Sequence, residues 1–262
     1  MSRTDVPVKI LMTVTYLAMV TMNYLANALP LNGRETGAIS DAYANLFAPA
    51  GLTFAIWGVI YLLLAFHILY QWGAFRQQDA AREPLLRRVA ILFSLSSVAN
   101  TAWVFAWHYD VIWLSALLIV TILALLAVIV VTLQRAGLTG RDHWFVGVPF
   151  SVYFGWLTVA TVANATVWLV SIGWDGLGIS EEFWAVIIIA VAAVIGTLIM
   201  LHHRDIAYGL VLLWAFAGIL IKHTSDTGFA SQYPQVITTT IICLVAFLAA
   251  EGFIIWRKQN HA

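Results

Sequence analysis

Four runs in this sequence repeat amide and aromatic side chains at helical spacing, an arrangement that lets one face of a helix grip a flat molecule. The first run holds Tyr16, Asn23 and Asn27, and the second Phe54, Trp57 and Tyr61. The third holds Asn100, Trp103 and Trp107, and the fourth Tyr153, Trp156, Ala160, Asn164 and Trp168. In the fourth run the offsets from Tyr153 are i+3, i+7, i+11 and i+15, so all five residues fall on one stripe. Indole and phenol faces stack on apolar rings, and a carboxamide donates and accepts at a ligand's polar edge. Ala160 leaves room on its stripe for a ligand to lie against the helix. The same residue types also have a purely structural use: Trp and Tyr gather at the two interfaces of any membrane protein, and Asn bonds neighbouring helices together. Taken singly, each residue is explained by that use; the convergence of four stripes points to a pocket.

The other chemistry-bearing residues are isolated. Glu251 lies inside an apolar run, about two turns before Arg257. A carboxylate there is either functional or close enough to the interface to reach water or a basic partner. Lys222 ends another apolar run beside His223 and Ser225, where extension toward water is expected. A retinal-type Schiff base is disfavoured, because the third run offers no buried carboxylate counter-ion. His202 and His203 are adjacent, so their rings point apart, and no thiolate or carboxylate cluster joins them into a metal site. His67 and His108 stand alone; His108 follows Trp107 and would either ligate a haem held in the pocket or sit at the interface. Nucleophile-elbow, zinc-protease, phosphate-loop and dinucleotide fingerprints are missing, and no acid and base stand at catalytic spacing, so no enzyme is expected.

The elements that position these groups follow from composition. Of 262 residues, 62% are hydrophobic and only 10% charged, with a mean hydropathy of +0.89. Soluble domains carry roughly 25% charged residues, so the solvent of this chain is the lipid bilayer. Zero net charge gives no basic surface for nucleic acid. The single Cys243 sits in an apolar run, which excludes a disulfide framework and leaves the redox compartment unread. The N-terminal segment MSRTDVPVKILMTVTYLAMV starts basic like a signal peptide. Its apolar run continues for about 20 residues without a small-residue cleavage site, as a first span does. Eight segments have the length to cross: about 10–29, 51–72, 89–108, 111–133, 145–171, 183–201, 206–222 and 236–256. The expected fold is therefore an all-α integral membrane protein with about eight transmembrane helices. The sixth and seventh are separated only by His202, His203, Arg204 and Asp205, which fits two spans joined by a tight turn.

The cations test that count. With a cytoplasmic N-terminus, the same side holds Arg3, Lys9, Arg76, Arg82, Arg87, Arg88, Arg135, Arg141, Arg204, Arg257 and Lys258. The opposite side holds only Arg34 and Lys222, and these two groups account for all 13 Lys and Arg. The opposite side also carries Glu35, Asp41, Asp110, Asp175, Glu181, Glu182 and Asp226. The expectation is a plasma-membrane protein with both termini cytoplasmic. In that orientation Asn23, Asn27, Trp57, Asn100, Trp103 and Asn164 share the outer half of the membrane, with Trp156 near the middle. The loop 30–50 lies above them as a lid.

Three of the runs carry a family likeness. PAGLTFAIWGVIYLLL (49–64), NTAWVFAWHY (100–109) and YFGWLTVATVANATVW (153–168) resemble the second, third and fifth helices of the TspO/MBR family, the translocator or tryptophan-rich sensory proteins. The resemblance covers about residues 8–172. It implies a five-helix bundle around a pocket closed by the first loop, binding tetrapyrroles, sterols and synthetic aromatic ligands. Trp57, Asn100, Trp103, Trp156, Ala160 and Asn164 match family positions around that pocket. Two departures stand out. Leu52 occupies a place where the family often has Trp, and Pro-Ala replaces Pro-Pro at 49–50, so one aromatic wall is altered. The chain also continues for three helices beyond five. The expected organisation is a TspO-like five-helix ligand-binding bundle over 1–176 and a three-helix extension over 177–262.

The resulting expectation is a membrane receptor or sensor for a flat apolar ligand, either a porphyrin (haem among them) or a sterol-like molecule. The ligand-binding set is Asn23, Asn27, Phe54, Trp57, Tyr61, Asn100, Trp103, Trp107, Tyr153, Trp156, Ala160 and Asn164. One alternative is a secondary transporter of a small apolar or amphipathic substrate, with Glu251 coupling protons, although neither an inverted repeat nor paired broken helices are visible. Another is a structural or partner-regulating protein in which the last three helices form a docking or oligomerisation surface, leaving a homodimer open.

Overall fold

A computed structural model describes residues 6–29, 31–75 and 80–260; Arg3 and Arg76, two of the cations counted above, lie outside them. Among the described residues eight helices are long and apolar enough to cross a membrane: α1 (Val6–Ala28), α2 (Gly51–Gln71), α3 (Glu83–His108), α4 (Ile112–Arg135), α5 (Gly140–Ser171), α6 (Glu181–His203), α7 (Ile206–Thr224) and α8 (Pro234–Asn260). Among the described residues there is no strand. The all-α, eight-helix membrane architecture is therefore the one the composition demands. Large aliphatic side chains such as Leu11, Leu62, Val120, Leu198 and Val245 stay exposed along these helices, as lipid-facing positions do.

Local chemistry sets the helix ends. Arg204 adopts a left-handed conformation (φ 51°, ψ 43°) that stops α6. Asp205 then caps α7 by accepting a hydrogen bond from the Tyr208 amide at 3.1 Å. The short segment between the sixth and seventh spans is thus a stop and a cap in consecutive residues. Ser180 caps α6 in the same way, accepting from the Phe183 amide at 3.3 Å.

Helix α5 opens with a π-helical turn over His143–Gly147. Pro149 follows one residue beyond it and has no N–H to offer the carbonyl of Phe145, four residues earlier. That carbonyl accepts instead from His67 Nδ1 at 3.0 Å. Gln71 sits 3.4 Å from the other ring nitrogen of His67. The isolated His67 is therefore a fully buried helix-to-helix bond on α2, stacked edge-on against Phe150 with ring centroids 4.9 Å apart.

The molecule packs as two units. The first takes the chain through Ile39 and Trp57–Leu157; the second takes Ser40–Ile56 and the chain from Thr158 onward. In the first unit, α3 packs against α1 and α4, and Met12, Met19, Ile60, Leu64, Phe93 and Phe150 are fully buried. In the second, α8 packs against α6 and α7, with Phe216 and Phe247 edge to face at 4.9 Å. Close approaches in the second unit rely on glycine. A Cβ on Gly218 of α7 would fall 2.0 Å from Thr53 Oγ1, so only hydrogen there lets the start of α2 pack this closely. Two bonds fix the same approach: Ala50 N–H to Gly218 O at 3.0 Å and Trp214 Nε1 to Thr53 O at 2.9 Å.

Candidate functional site

The amides of the first unit bond to one another. Asn23 Nδ2 on α1 donates to Asn100 Oδ1 on α3 at 2.8 Å, and also to the Met19 carbonyl at 2.9 Å. Asn100 Nδ2 donates to the Tyr153 hydroxyl on α5 at 3.1 Å. Asn100 is 1% exposed and Tyr153 fully buried. A buried polar group must find a partner, and here the two amides and the phenol serve as partners across three helices. The use of asparagine as a link between helices is thus realised for Asn23 and Asn100. Asn27 is tied as well: its Nδ2 donates to the Asn23 carbonyl at 2.9 Å and its Oδ1 accepts from the Thr36 amide at 3.3 Å.

The aromatic members gather beside this network. Trp57 stacks on Tyr61 (5.5 Å, 23°) and meets Tyr153 and Trp156 edge-on at 5.9 and 6.2 Å. Trp103 and Trp107 stack at 5.4 Å and 19°. Edge-to-face and offset contacts at these distances are each favourable by about 0.5–1.5 kcal/mol beyond area burial. Two donors in this group are buried without a hydrogen-bond partner: the Tyr61 hydroxyl and Trp103 Nε1.

The first half of the loop is fastened to the C-terminal end of α3. It forms a turn at Leu31–Gly33 and a short helix at Thr36–Ala42. Trp107 Nε1 donates to Thr36 O at 3.1 Å, Asn32 Nδ2 donates to His108 O at 3.0 Å, and Arg34 pairs with Asp110. His108 is fully buried; its Nδ1 bonds the Val104 carbonyl at 2.8 Å and its Nε2 faces Thr36 Oγ1 at 3.4 Å. A haem iron takes one ring nitrogen, and each of the two here already faces a protein oxygen.

The remaining expected residues lie in the second unit. Phe54 and Ala160 are half-buried there and Asn164 is buried. Leu52, at the altered family position, is 53% exposed. Lys222 pairs with Asp41 at 3.0 Å, and His223 Nε2 donates to the Leu46 carbonyl at 2.9 Å. Glu251 is 6% exposed, and neither carboxylate oxygen has a hydrogen-bond partner. Its side chain fills the space over Gly209, where a Cβ would sit 1.9 Å from Oε1. His202 and His203 contact through their rings at 4.8 Å. Among the described residues no group of three His, Cys, Asp or Glu could hold a metal ion.

The periodicity reading missed some well-ordered features. Trp174 and Trp184 pack together at 4.9 Å across a turn, and no helical period relates them. The signal that could have found them is the glycine pair of Asp-Gly-Leu-Gly at 175–178, which marks a turn with special backbone angles.

No curated protein and no solved structure matches the chain. A family model described as TSPO-like protein matches residues 9–253. This match takes in α6, α7 and most of α8, helices beyond the reach of the motifs on α2, α3 and α5. Carried by those motifs and by a match over nearly its whole length, the chain belongs to the TSPO-like protein family.

Proposed function

We propose that this membrane protein is a receptor or sensor for a flat, apolar ligand of the porphyrin or sterol-like class, bound at the aromatic cluster of Trp57, Tyr61, Trp103, Trp107, Tyr153 and Trp156. The observation that carries the reading is the pair of buried, unpartnered donors, the Tyr61 hydroxyl and Trp103 Nε1. A donor left unsatisfied in a buried site costs about 1–3 kcal/mol. A ligand with an acceptor on its edge relieves that cost, while the indole faces supply the stacking area. Asn23 and Asn100 then act by holding α1, α3 and α5 in register around the cluster.

Protoporphyrin quenching of intrinsic tryptophan fluorescence tests this. Tyr61→Phe keeps the ring and removes one donor; Trp103→Phe removes the other donor together with part of the indole's stacking area. Each is expected to weaken binding by at least about fivefold, the worth of one neutral hydrogen bond, and Tyr61→Phe is expected to leave the ligand-free protein no less stable, because it removes an unsatisfied hydroxyl. Wild-type affinity in both variants would sink the proposed site.

We also propose that both termini face the cytoplasm of a plasma-membrane protein. Two ion pairs support it. The only cations assigned to the opposite side, Arg34 and Lys222, are each paired with a carboxylate, Asp110 and Asp41. That side is thereby left without a free excess of positive charge. Reporter fusions that place residues 83–88 on the same side as residues 175–182 would refute the orientation.

A second reading, a proton-coupled transporter, is favoured by one observation: the buried carboxyl of Glu251, unpartnered over Gly209. Ionisable groups within membrane helices commonly mark ion or proton pathways. Uptake into proteoliposomes driven by a pH gradient and abolished in Glu251→Gln would decide for transport. Porphyrin binding with no uptake would decide for the receptor.

A further inference from the structure

The second unit contains a cavity of about 340 Å³ that shares no residue with the aromatic cluster. Its walls come from loop residues 44–47, the end of α5 and the segment from Trp174 to Ile188. The volume is in the range of small-molecule sites.

The walls are held by specific bonds. Asn45 is buried; its Nδ2 donates to Tyr43 O at 2.9 Å, and its Oδ1 accepts from the Phe47 amide at 3.1 Å and faces the Thr166 hydroxyl at 3.4 Å. Trp184 Nε1 donates to Gly176 O at 2.7 Å, which locks one indole against the other. Gly176 has φ +67°, and a Cβ there would meet Trp184 Cδ1 at 2.9 Å, so this seat requires glycine. The next residue, Leu177, is held left-handed at φ 56° while its amide donates to Asp175 Oδ1 at 2.9 Å. A leucine adopts that conformation only at a cost, and such strain is kept where the surroundings over-determine it.

The lining is chemically one-sided. Its polar side chains are Asn45, Thr166 and the two exposed carboxylates Asp175 and Glu181; no Lys, Arg or His takes part. The remaining side chains are aliphatic or aromatic. Carboxylates beside indole faces attract an organic cation, and aliphatic walls accept an apolar body. An anion meets two like charges in the same place.

We propose that this cavity binds an amphipathic organic cation, its ammonium head at Asp175 and Glu181 against the Trp174–Trp184 pair and its apolar body along the aliphatic wall of α5 and α6. The head can belong to a soluble amine or to an ammonium-headed lipid, and the chemistry of recognition is the same.

The test is photolabelling of the full chain in phosphatidylglycerol nanodiscs, which contain no ammonium headgroup. Three diazirine probes share a phenylbutyl skeleton and end in an amine, an alcohol or a carboxylate. The amine is expected to label peptides within 44–47 and 166–188 at least about fivefold more than the alcohol, the factor of a modest cation–π and charge contribution. The carboxylate labels less than the alcohol. Combining Asp175→Asn with Glu181→Gln removes the amine preference; the carboxamide that replaces the Asp175 carboxylate can still accept from the Leu177 amide, so the turn is kept. Adding phosphatidylethanolamine or phosphatidylcholine separates the two sources: competition assigns the site to a lipid headgroup, and undiminished labelling assigns it to a soluble amine. Equal labelling by the three probes, labelling elsewhere in the chain, or an amine preference that survives in the double variant overturns the proposal. Should the double variant not fold, the three-probe comparison on the unaltered protein decides alone.

Discussion

Asn100 is the residue whose replacement separates holding the bundle from holding a ligand. Asn100→Ala removes two bonds between helices, one to Asn23 at 2.8 Å and one to Tyr153 at 3.1 Å. Bonds of this kind within membranes average about 0.6 kcal/mol and reach about 1.7 kcal/mol. The change also leaves a small void at a site that is 1% exposed. Asn23 keeps its bond to the Met19 carbonyl, but the Tyr153 hydroxyl is left only a 4.0 Å contact with Met19 Sδ. Together these terms give a loss of about 2–3 kcal/mol for Asn100→Ala. Tyr153→Phe breaks one of the two bonds and is expected to cost about 1 kcal/mol. Because the single variants share the bond between them, the double variant should fall short of their sum by about 0.6–1 kcal/mol. Reversible unfolding in mixed detergent micelles, followed by tryptophan fluorescence, measures all four corners of the cycle. If Asn100→Ala stays within about 0.5 kcal/mol of the parent, or if the two changes are additive, the network does not hold the three helices and the account of Asn23 and Asn100 is wrong.

Close packing at two glycines gives further tests. Gly218→Ala places a Cβ 2.0 Å from Thr53 Oγ1, so a loss of about 1–3 kcal/mol is expected; Thr53→Ala in the same chain recovers most of it in a thermal melt. Gly209→Ala drives a Cβ into Glu251 Oε1 at 1.9 Å. It should destabilise to a similar degree and be partly rescued by Glu251→Ala, read in the same melt. The Arg34–Asp110 pair is part-exposed, at 32% and 38%, so Asp110→Ala should cost less than about 1 kcal/mol and leave the loop slow to be cleaved by protease. Trp107→Phe, which frees the Thr36 carbonyl, should speed that cleavage more.

The spans were legible because lipid imposes one rule on all of them: a run of apolar residues long enough to cross it. The ends were less legible. α3 begins at Glu83 rather than near 89, because Pro84 suits a first helical turn and Arg87 and Arg88 interrupt apolarity without interrupting the helix. α5 begins at Gly140 rather than near 145 for a similar reason, its first turns being polar. Periodicity also identified the inward face of α3, where Asn100, Trp103 and Trp107 are all buried. Periodicity within one helix carries no information about register between helices, however. The bonding of Asn23 to Asn100 and of Asn100 to Tyr153 could not be read from spacing, nor could the pairing of Trp174 with Trp184 across a strained turn.

That network alters what a ligand at the aromatic cluster must offer. Free amides would make the site ambidextrous, able to answer donors and acceptors alike. Asn23 and Asn100 are committed to each other and to Tyr153; the groups left in need of partners are Trp103 Nε1, which donates, and the Tyr61 hydroxyl, which donates and can also accept. An indole N–H is a donor only. The site should therefore prefer flat molecules with acceptors on the edge, such as carboxylates, esters or ketones, over hydrocarbons of equal area. Competition against a porphyrin measures this with two polycyclic ligands of one skeleton, one bearing a ketone and one not. The ketone should bind about fivefold tighter, and Tyr61→Phe combined with Trp103→Phe should abolish its advantage over the hydrocarbon, the smaller ring costing both ligands the same stacking area. An advantage that persists in the double variant would mean that other groups answer the acceptor, and that the two unpartnered donors do not define the site.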